Sequence, residues 1–144
     1  MGAAENLATH LRWAEADDRG DLSQHHEFIH EDIVVDHLDG ETIVGRDALI
    51  ANMQASLDAM PDYSNVIEDR FATDDRVVCR WRVQGTPLGE DGRPGAPIDV
   101  RGISVWEFRD GRASRGWICS NAAALAQQGV EHAHAYSINA HQKD

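Results

Sequence analysis

The sequence predicts an α+β fold, with N-terminal helices packed on a curved, mixed but mostly antiparallel sheet. Three observations carry that expectation. Apolar residues recur at helical spacing through the first sixty positions, the period then changes to two, and the period-two stretches are joined by hairpin turns rich in Gly and Asp. Helices that precede the strands, instead of alternating with them, give segregated layers and not a doubly wound parallel sheet.

Leu7, Leu11 and Ala14 recur at helical spacing over about 4–19, which predicts an amphipathic first helix. Gly20-Asp21 stops it before a second, short helix that runs through Phe28. Ile33-Val34-Val35 begins a strand that continues through Asp36, His37 and Leu38, with Asp39-Gly40 as its turn. The third helix spans 46–60, with Leu49, Met53, Leu57 and Met60 on one stripe and Pro61-Asp62 just past its end.

After that helix the alternation is that of half-buried antiparallel strands. Val77, Cys79, Trp81 and Val83 oppose Arg80, Arg82 and Gln84. Ile98, Val100, Gly102, Ser104, Trp106 and Phe108 form the inner set of the next strand, with Asp99, Arg101, Glu107 and Arg109 outside. Residues 85–97, rich in Gly and Pro, make a long hairpin loop between them. Arg109-Asp110-Gly111-Arg112 is a tighter turn into the last strand.

At 144 residues the chain fits one domain over 1–130, followed by a polar tail over 131–144. With 13 basic and 25 acidic side chains the formal charge is -12, which repels phosphate backbones and anionic lipid. Nucleic acid and membrane are therefore not expected as partners. Cys79 and Cys119 both fall in expected strands, away from metal-ligand spacing, and read as small buried hydrophobes in a reducing compartment. No stretch approaches the ~18 apolar residues of a membrane span, and residues 1–5 lack the features of a signal peptide. A cytoplasmic location is the expectation.

The segment Trp117-Ile118-Cys119-Ser120-Asn121, followed by Leu125 and Gln127-Gln128-Gly129, resembles the closing signature of the SnoaL-like polyketide cyclases, within the ketosteroid-isomerase and nuclear-transport-factor superfamily. Gly20-Asp21-Leu22, Val35-Asp36-His37, Gly45-Arg46-Asp47, Met60-Pro61-Asp62, Gly85-Thr86 and Asp110-Gly111-Arg112 fall in the order of that family, so the likeness covers 13–129. The resemblance implies a cone-shaped α+β barrel with three N-terminal helices, a deep apolar pocket and a homodimer. It implies no metal, no organic cofactor, and a small apolar or polycyclic carbonyl ligand. Aldol-type cyclisation by proton abstraction next to a carbonyl is the implied reaction.

This chain departs from the pattern at three places. The Asp expected as the family's acid/base is here Asn121, which does not titrate near neutral pH. Gly-Thr-His becomes Gly85-Thr86-Pro87. By register with the superfamily's steroid isomerases, the Tyr position falls on Trp13, the base on His37 and the proton donor near Ser104.

His37 is thus the expected catalytic base, since an imidazole of unperturbed pKa ~6.5 can serve as base or acid at working pH. Alternation sends Asp36 to the opposite face, so the two form no dyad. Asn121 shares a face with Trp117 and Cys119, which points it at the pocket if Trp117 is a core residue. There it donates to an enolate, or it caps the following helix. Trp13, Trp81, Ser104, Trp106 and Trp117 are the expected substrate-binding residues. The charges of Arg80, Arg82, Asp99 and Arg101 alternate against the apolar set and read as exterior or dimer-interface groups. His25, His26, His30, His132, His134 and His141 read as solvated surface, since no third ligand completes a metal site, although His26 and His30 share i, i+4 spacing. Two other readings stay open: a ligand-binding or accessory protein that has lost catalysis, favoured by Asn121, and an enzyme of different chemistry, such as dehydration, epoxide opening or assistance to hydroxylation.

Overall fold

In the computed structural model, which describes residues 2–38 and 40–122, the chain opens with helix α1 (Ala3–Arg19). Gly20 ends it in the left-handed conformation (φ 71°), its N–H donating to Asp17 O (3.0 Å) while Asp21 N–H donates to Ala16 O (2.9 Å). This pair of bonds closes the last turn in the way only a residue free of Cβ strain allows cheaply. The expected second helix is a single 3-10 turn, His25–Glu27. The stretch before it is held by Asp21 Oδ1, which accepts from Ser23 N (3.0 Å) and Ser23 Oγ (2.6 Å), a local turn that competes with helix. Two α-helices, α1 and α2 (Arg46–Ala59), therefore stand where three helices were expected.

The six strands are β1 (Ile29–His37), β2 (Thr42–Val44), β3 (Ser64–Ala72), β4 (Arg76–Gly85), β5 (Ile98–Arg109) and β6 (Arg112–Ser120). Their order is β2-β1-β6-β5-β4-β3, with only the β1–β6 pair parallel. Among the described residues this is one six-stranded sheet with β2 and β3 at its edges. The strands β2 and β3 had no clear signature in the sequence. The first is three residues long, and Glu68-Asp69-Arg70 interrupts alternation in the second.

The alternation of β4 and β5 is as the residue pattern predicts. Val77, Cys79, Trp81 and Val83 are buried on one strand, and Ile98, Val100, Ser104, Trp106 and Phe108 on the next. Asp110 (φ 52°) and Gly111 (φ 77°) form the two-residue turn into β6. In β6 the phase departs from expectation. The register shifts between Glu107 and Phe108, leaving Ser114 as an extra residue on β6. Ala113 before this bulge is buried, and beyond it Gly116 is buried and Ile118 lines the interior. Without the bulge, Trp117 and Asn121 would have taken the inner positions; with it, every later side chain changes face.

Two aromatic rings shape the concave side of the sheet. A Cβ on Gly102 would lie 2.3 Å from Trp81 Cζ2, and one on Gly116 would lie 2.3 Å from Trp106 Cζ3. Each ring therefore lies across a glycine of the neighbouring strand. Helix α1 docks on this floor through Trp13, whose ring sits 4.7 Å from that of Trp106. Its buried face carries Asn6, Thr9, His10, Trp13 and Ala16, while Leu11 of the expected apolar stripe is 44 % exposed. That face tolerates polarity because partners await it: Asn6 Nδ2 donates to Asp74 O (2.9 Å), and Arg70 meets His10.

Filling either glycine hollow forces a ring to move. Gly116→Ala and Gly102→Ala are each expected to lower stability by about 1–3 kcal/mol in chemical denaturation, with altered tryptophan emission. A change within experimental error would show that the rings have room to spare.

Candidate functional site

Between the concave face, α1 and α2 lies a cavity of about 140 Å³, close to the size of a ~150 Å³ engineered cavity that holds benzene. Its floor is Trp81, Trp106 and Val83 of the sheet with Trp13 of α1, and Leu49, Ile50 and Met53 of α2 form the opposite wall. Into this apolar enclosure project His10, Asp17, His25, His37, Tyr63 and Ser104.

Of the residues expected at the site, Trp13, His37, Trp81, Ser104 and Trp106 line the cavity, and Trp117 and Asn121 do not. Ser104 accepts a hydrogen bond from Trp81 Nε1 (2.8 Å) and so fixes the indole that forms the floor. Trp117, on the outer face, lies under the Arg115 guanidinium, which pairs in turn with Asp36. Asn121 is exposed. Its Oδ1 accepts from Arg101 N (2.9 Å) and its N donates to Arg101 O (3.1 Å), which extends the β5–β6 ladder by one step. The helix it was expected to cap lies outside the described residues.

Two histidines expected at the surface are inside. His30 donates through Nε2 to Arg109 O (2.5 Å). His25 is 2 % exposed, and its Nε2 meets Asp17 Oδ1 at 2.6 Å. With Asp17 ionised its carboxylate only accepts, so Nε2 donates in this pair, and in a neutral ring Nδ1 then presents a lone pair. Nδ1 is buried without a hydrogen-bond partner in the described structure. Of the other histidines read as surface, His132, His134 and His141 lie outside the described residues. Cys119 is exposed, against expectation, because it shares the outward phase of Trp117.

Burial pushes the Asp17 carboxyl up from its usual range, while the hydrogen bond and charge of His25 draw it back. Burial, then the charge of Asp17, pushes the Tyr63 phenol up, so it remains a proton donor. Burial raises the Cys79 thiol to about 11, which removes it as a nucleophile at neutral pH. His10 is drawn down to about 3, by burial first and by Arg70 second. His10, Trp13 and Asp17 share one face of α1 at i, i+3 and i+7. That spacing was visible in the sequence but runs beside the Leu7–Leu11–Ala14 stripe that hydrophobicity favoured.

A helix-roofed cavity on a curved sheet, with polar groups at its walls, is matched at the level of sequence: the model of the SnoaL-like domain fits residues 10–116. The chain belongs to the SnoaL-like domain family. Among solved structures, a proposed SnoaL-like polyketide cyclase from Jannaschia sp. CCS1 shares the fold, with TM-score 0.75, 18% identity, and coverage of 90% of this chain and 94% of that one. AclR, a proposed hydroxylase from Streptomyces galilaeus, is 29% identical over 88% of this chain and 97% of its own (TM-score 0.72). IdmH, a proposed polyketide cyclase from Streptomyces antibioticus, is 27% identical over 87% and 99% (TM-score 0.72). No curated protein sequence matches. Among the described residues of this SnoaL-like domain, no helix is long and apolar enough to cross a membrane, and no three metal-ligating side chains converge.

The depressed pKa of His10 makes the fold acid-sensitive. The unfolded chain binds a proton below 6.5 that the folded chain refuses until about 3, so this contribution is present above 6.5 and lost as pH falls through that window. Asp17, shifted up, acts in the opposite sense. His10→Gln is therefore expected to flatten the acid limb of stability against pH. An unchanged limb would assign it to other groups.

Proposed function

We propose that this SnoaL-like domain is a cofactor-independent enzyme that abstracts a proton next to a carbonyl, with aldol-type ring closure of a polyketide-like compound as the reaction. The observation that carries the reading is the Asp17–His25 pair. One imidazole nitrogen is held by a buried carboxylate, the ring belongs to a cavity-lining residue, and its other nitrogen is buried with no hydrogen-bond partner among the described residues. That is the arrangement a general base needs, oriented and, among the described residues, unspent on a partner.

In this reading His25 Nδ1 takes the carbon-bound proton, and the C–H electron pair becomes an enolate. Asp17 stabilises the imidazolium. The enolate carbon then forms a bond to a second carbonyl carbon, and the alkoxide so made receives a proton from the imidazolium or from the Tyr63 phenol. The tryptophan floor holds the apolar body of the ligand and keeps water from quenching the enolate. His37, the base expected from the resemblance, lines the same cavity and is the second candidate for that role.

The same reading includes a cytoplasmic homodimer formed through the outer face of the sheet. Val66, Phe71 and Ile103 are 51 %, 57 % and 52 % exposed there. Ligand binding without turnover is the alternative, and Asn121 in place of the expected Asp is what favours it.

Exchange of α-hydrogens in a small cyclic ketone, followed by proton NMR in D2O, tests the assignment. The wild-type chain should accelerate exchange over buffer. His25→Ala should cost about a hundred- to ten-thousandfold, His37→Ala markedly less, and Asn121→Asp nothing. Undiminished exchange in His25→Ala would remove the dyad from the mechanism, and a gain in Asn121→Asp would favour a decayed acid/base at that position.

A further inference from the structure

The other end of the α1 face holds a second pair that the base chemistry does not use. Arg70, on β3 opposite Cys79, turns toward the interior and is half-buried. Its Nε–H donates to His10 Nδ1 (2.9 Å), and among the described residues it takes part in no ion pair. In a chain of formal charge -12, a half-buried guanidinium given to an imidazole instead of a carboxylate is an unusual use of a cation. An arginine can only donate, so Nδ1 of His10 must be the acceptor and a neutral ring then carries its proton on Nε2. Burial and the neighbouring guanidinium keep the ring neutral. His10 is a cavity-lining residue, and its Nε2 has no hydrogen-bond partner among the described residues.

We infer that His10 and Arg70 form the oxygen-binding subsite of the cavity: His10, fixed as the Nε2–H tautomer by Arg70, donates to a carbonyl or phenolic oxygen of the ligand. This rests on the proposed proton abstraction for its catalytic meaning, since the oxygen it holds is the one that becomes the enolate. A neutral imidazole suits that task. It offers a hydrogen bond to developing negative charge without being acidic enough to be drained of its proton by the base. Arg70 sits behind the ring and polarises it, which makes Arg70 a positioning residue rather than a contact. His10 and Asp17 are seven residues apart, two helical turns or about 10 Å along the axis. Oxygen donor and base therefore occupy different stretches of one wall, and a ring-sized carbonyl compound between them is the ligand class this spacing and the cavity volume suit.

The subsite can be read without turnover. Phenol and toluene are nearly the same size and differ in the oxygen, so their relative affinity by calorimetry isolates the oxygen contact. Wild-type protein should prefer phenol, and His10→Phe should reduce that preference by about three- to tenfold. In wild-type protein, nitrogen-15 NMR should show His10 as the Nε2–H tautomer, with the Nε2 signal moving as phenol saturates the site. Arg70→Met should loosen the tautomer and narrow the phenol preference. An Nδ1–H tautomer, or an Nε2 signal indifferent to saturating phenol, would overturn the inference even if His10→Phe fails to fold. If ketone exchange fails in every variant while the phenol preference and its His10 dependence persist, the subsite stands and the base assignment falls. Exchange that depends on His25, with no preference for phenol, would keep the base assignment and overturn the subsite.

Discussion

The structure depends on two tryptophan rings that lie flat because two glycines let them. Trp81 crosses Gly102 and Trp106 crosses Gly116, each at a distance that leaves no space for a Cβ. A side chain lying along the sheet, instead of standing on it, leaves the volume above it unfilled. The helices roof that volume without filling it, since α2 turns half-buried Leu49, Ile50, Asn52 and Met53 and buried Ser56 toward it. Such hollows are costly in an ordinary core, and here the same two rings recover part of that loss through their own burial and through the 4.7 Å contact of Trp106 with Trp13. That contact also fixes α1, and with it the positions of His10 and Asp17.

How much of this the sequence revealed depends on whether local pattern and tertiary need agreed. In β4 and β5 they did: central strands with one buried face must alternate, and the inner sets are legible residue by residue. In β6 they did not. Ser114, one added residue with no signature of its own, reverses the phase, so Trp117 and Asn121 moved outward and Ile118 inward. Resemblance placed Asn121 at the chemistry, whereas its carboxamide is engaged in holding Arg101. His37, Trp13, Trp81, Ser104 and Trp106 were legible because each lies on a strand or helix whose phase was read correctly or was fixed by family register.

The larger omission was His25. A histidine beside a second histidine, in a stretch that reads as a short helix, gives no local sign of burial. Its partner Asp17 comes from the last turn of α1, eight residues earlier, across the Gly20 reversal. The dyad exists only because that reversal folds the chain back on itself. Relatives named as cyclases and as a hydroxylase share the scaffold, so the scaffold does not choose the chemistry; side chains at the cavity wall do.

The electrostatic logic of that wall follows from burial being the first cause of every large shift in it. Burial disfavours charge of either sign: it draws His10 down and pushes Asp17 and Tyr63 up. A lone carboxylate is therefore a poor resident of this cavity unless something beside it can become positive. His25 is that group. In the proposed reaction its second nitrogen captures a proton, the imidazolium pairs with Asp17, and the buried negative charge that is unfavourable at rest becomes one half of an ion pair. In the proposed reaction Asp17 keeps its charge as half of that pair, and the new negative charge forms on the enolate oxygen, away from the dyad, where the proposed neutral hydrogen-bond donor would accommodate it. An isolated neutral base would leave both the new cation and the enolate uncompensated in an apolar medium; with Asp17 beside His25, the proposed reaction leaves only the enolate to be stabilised.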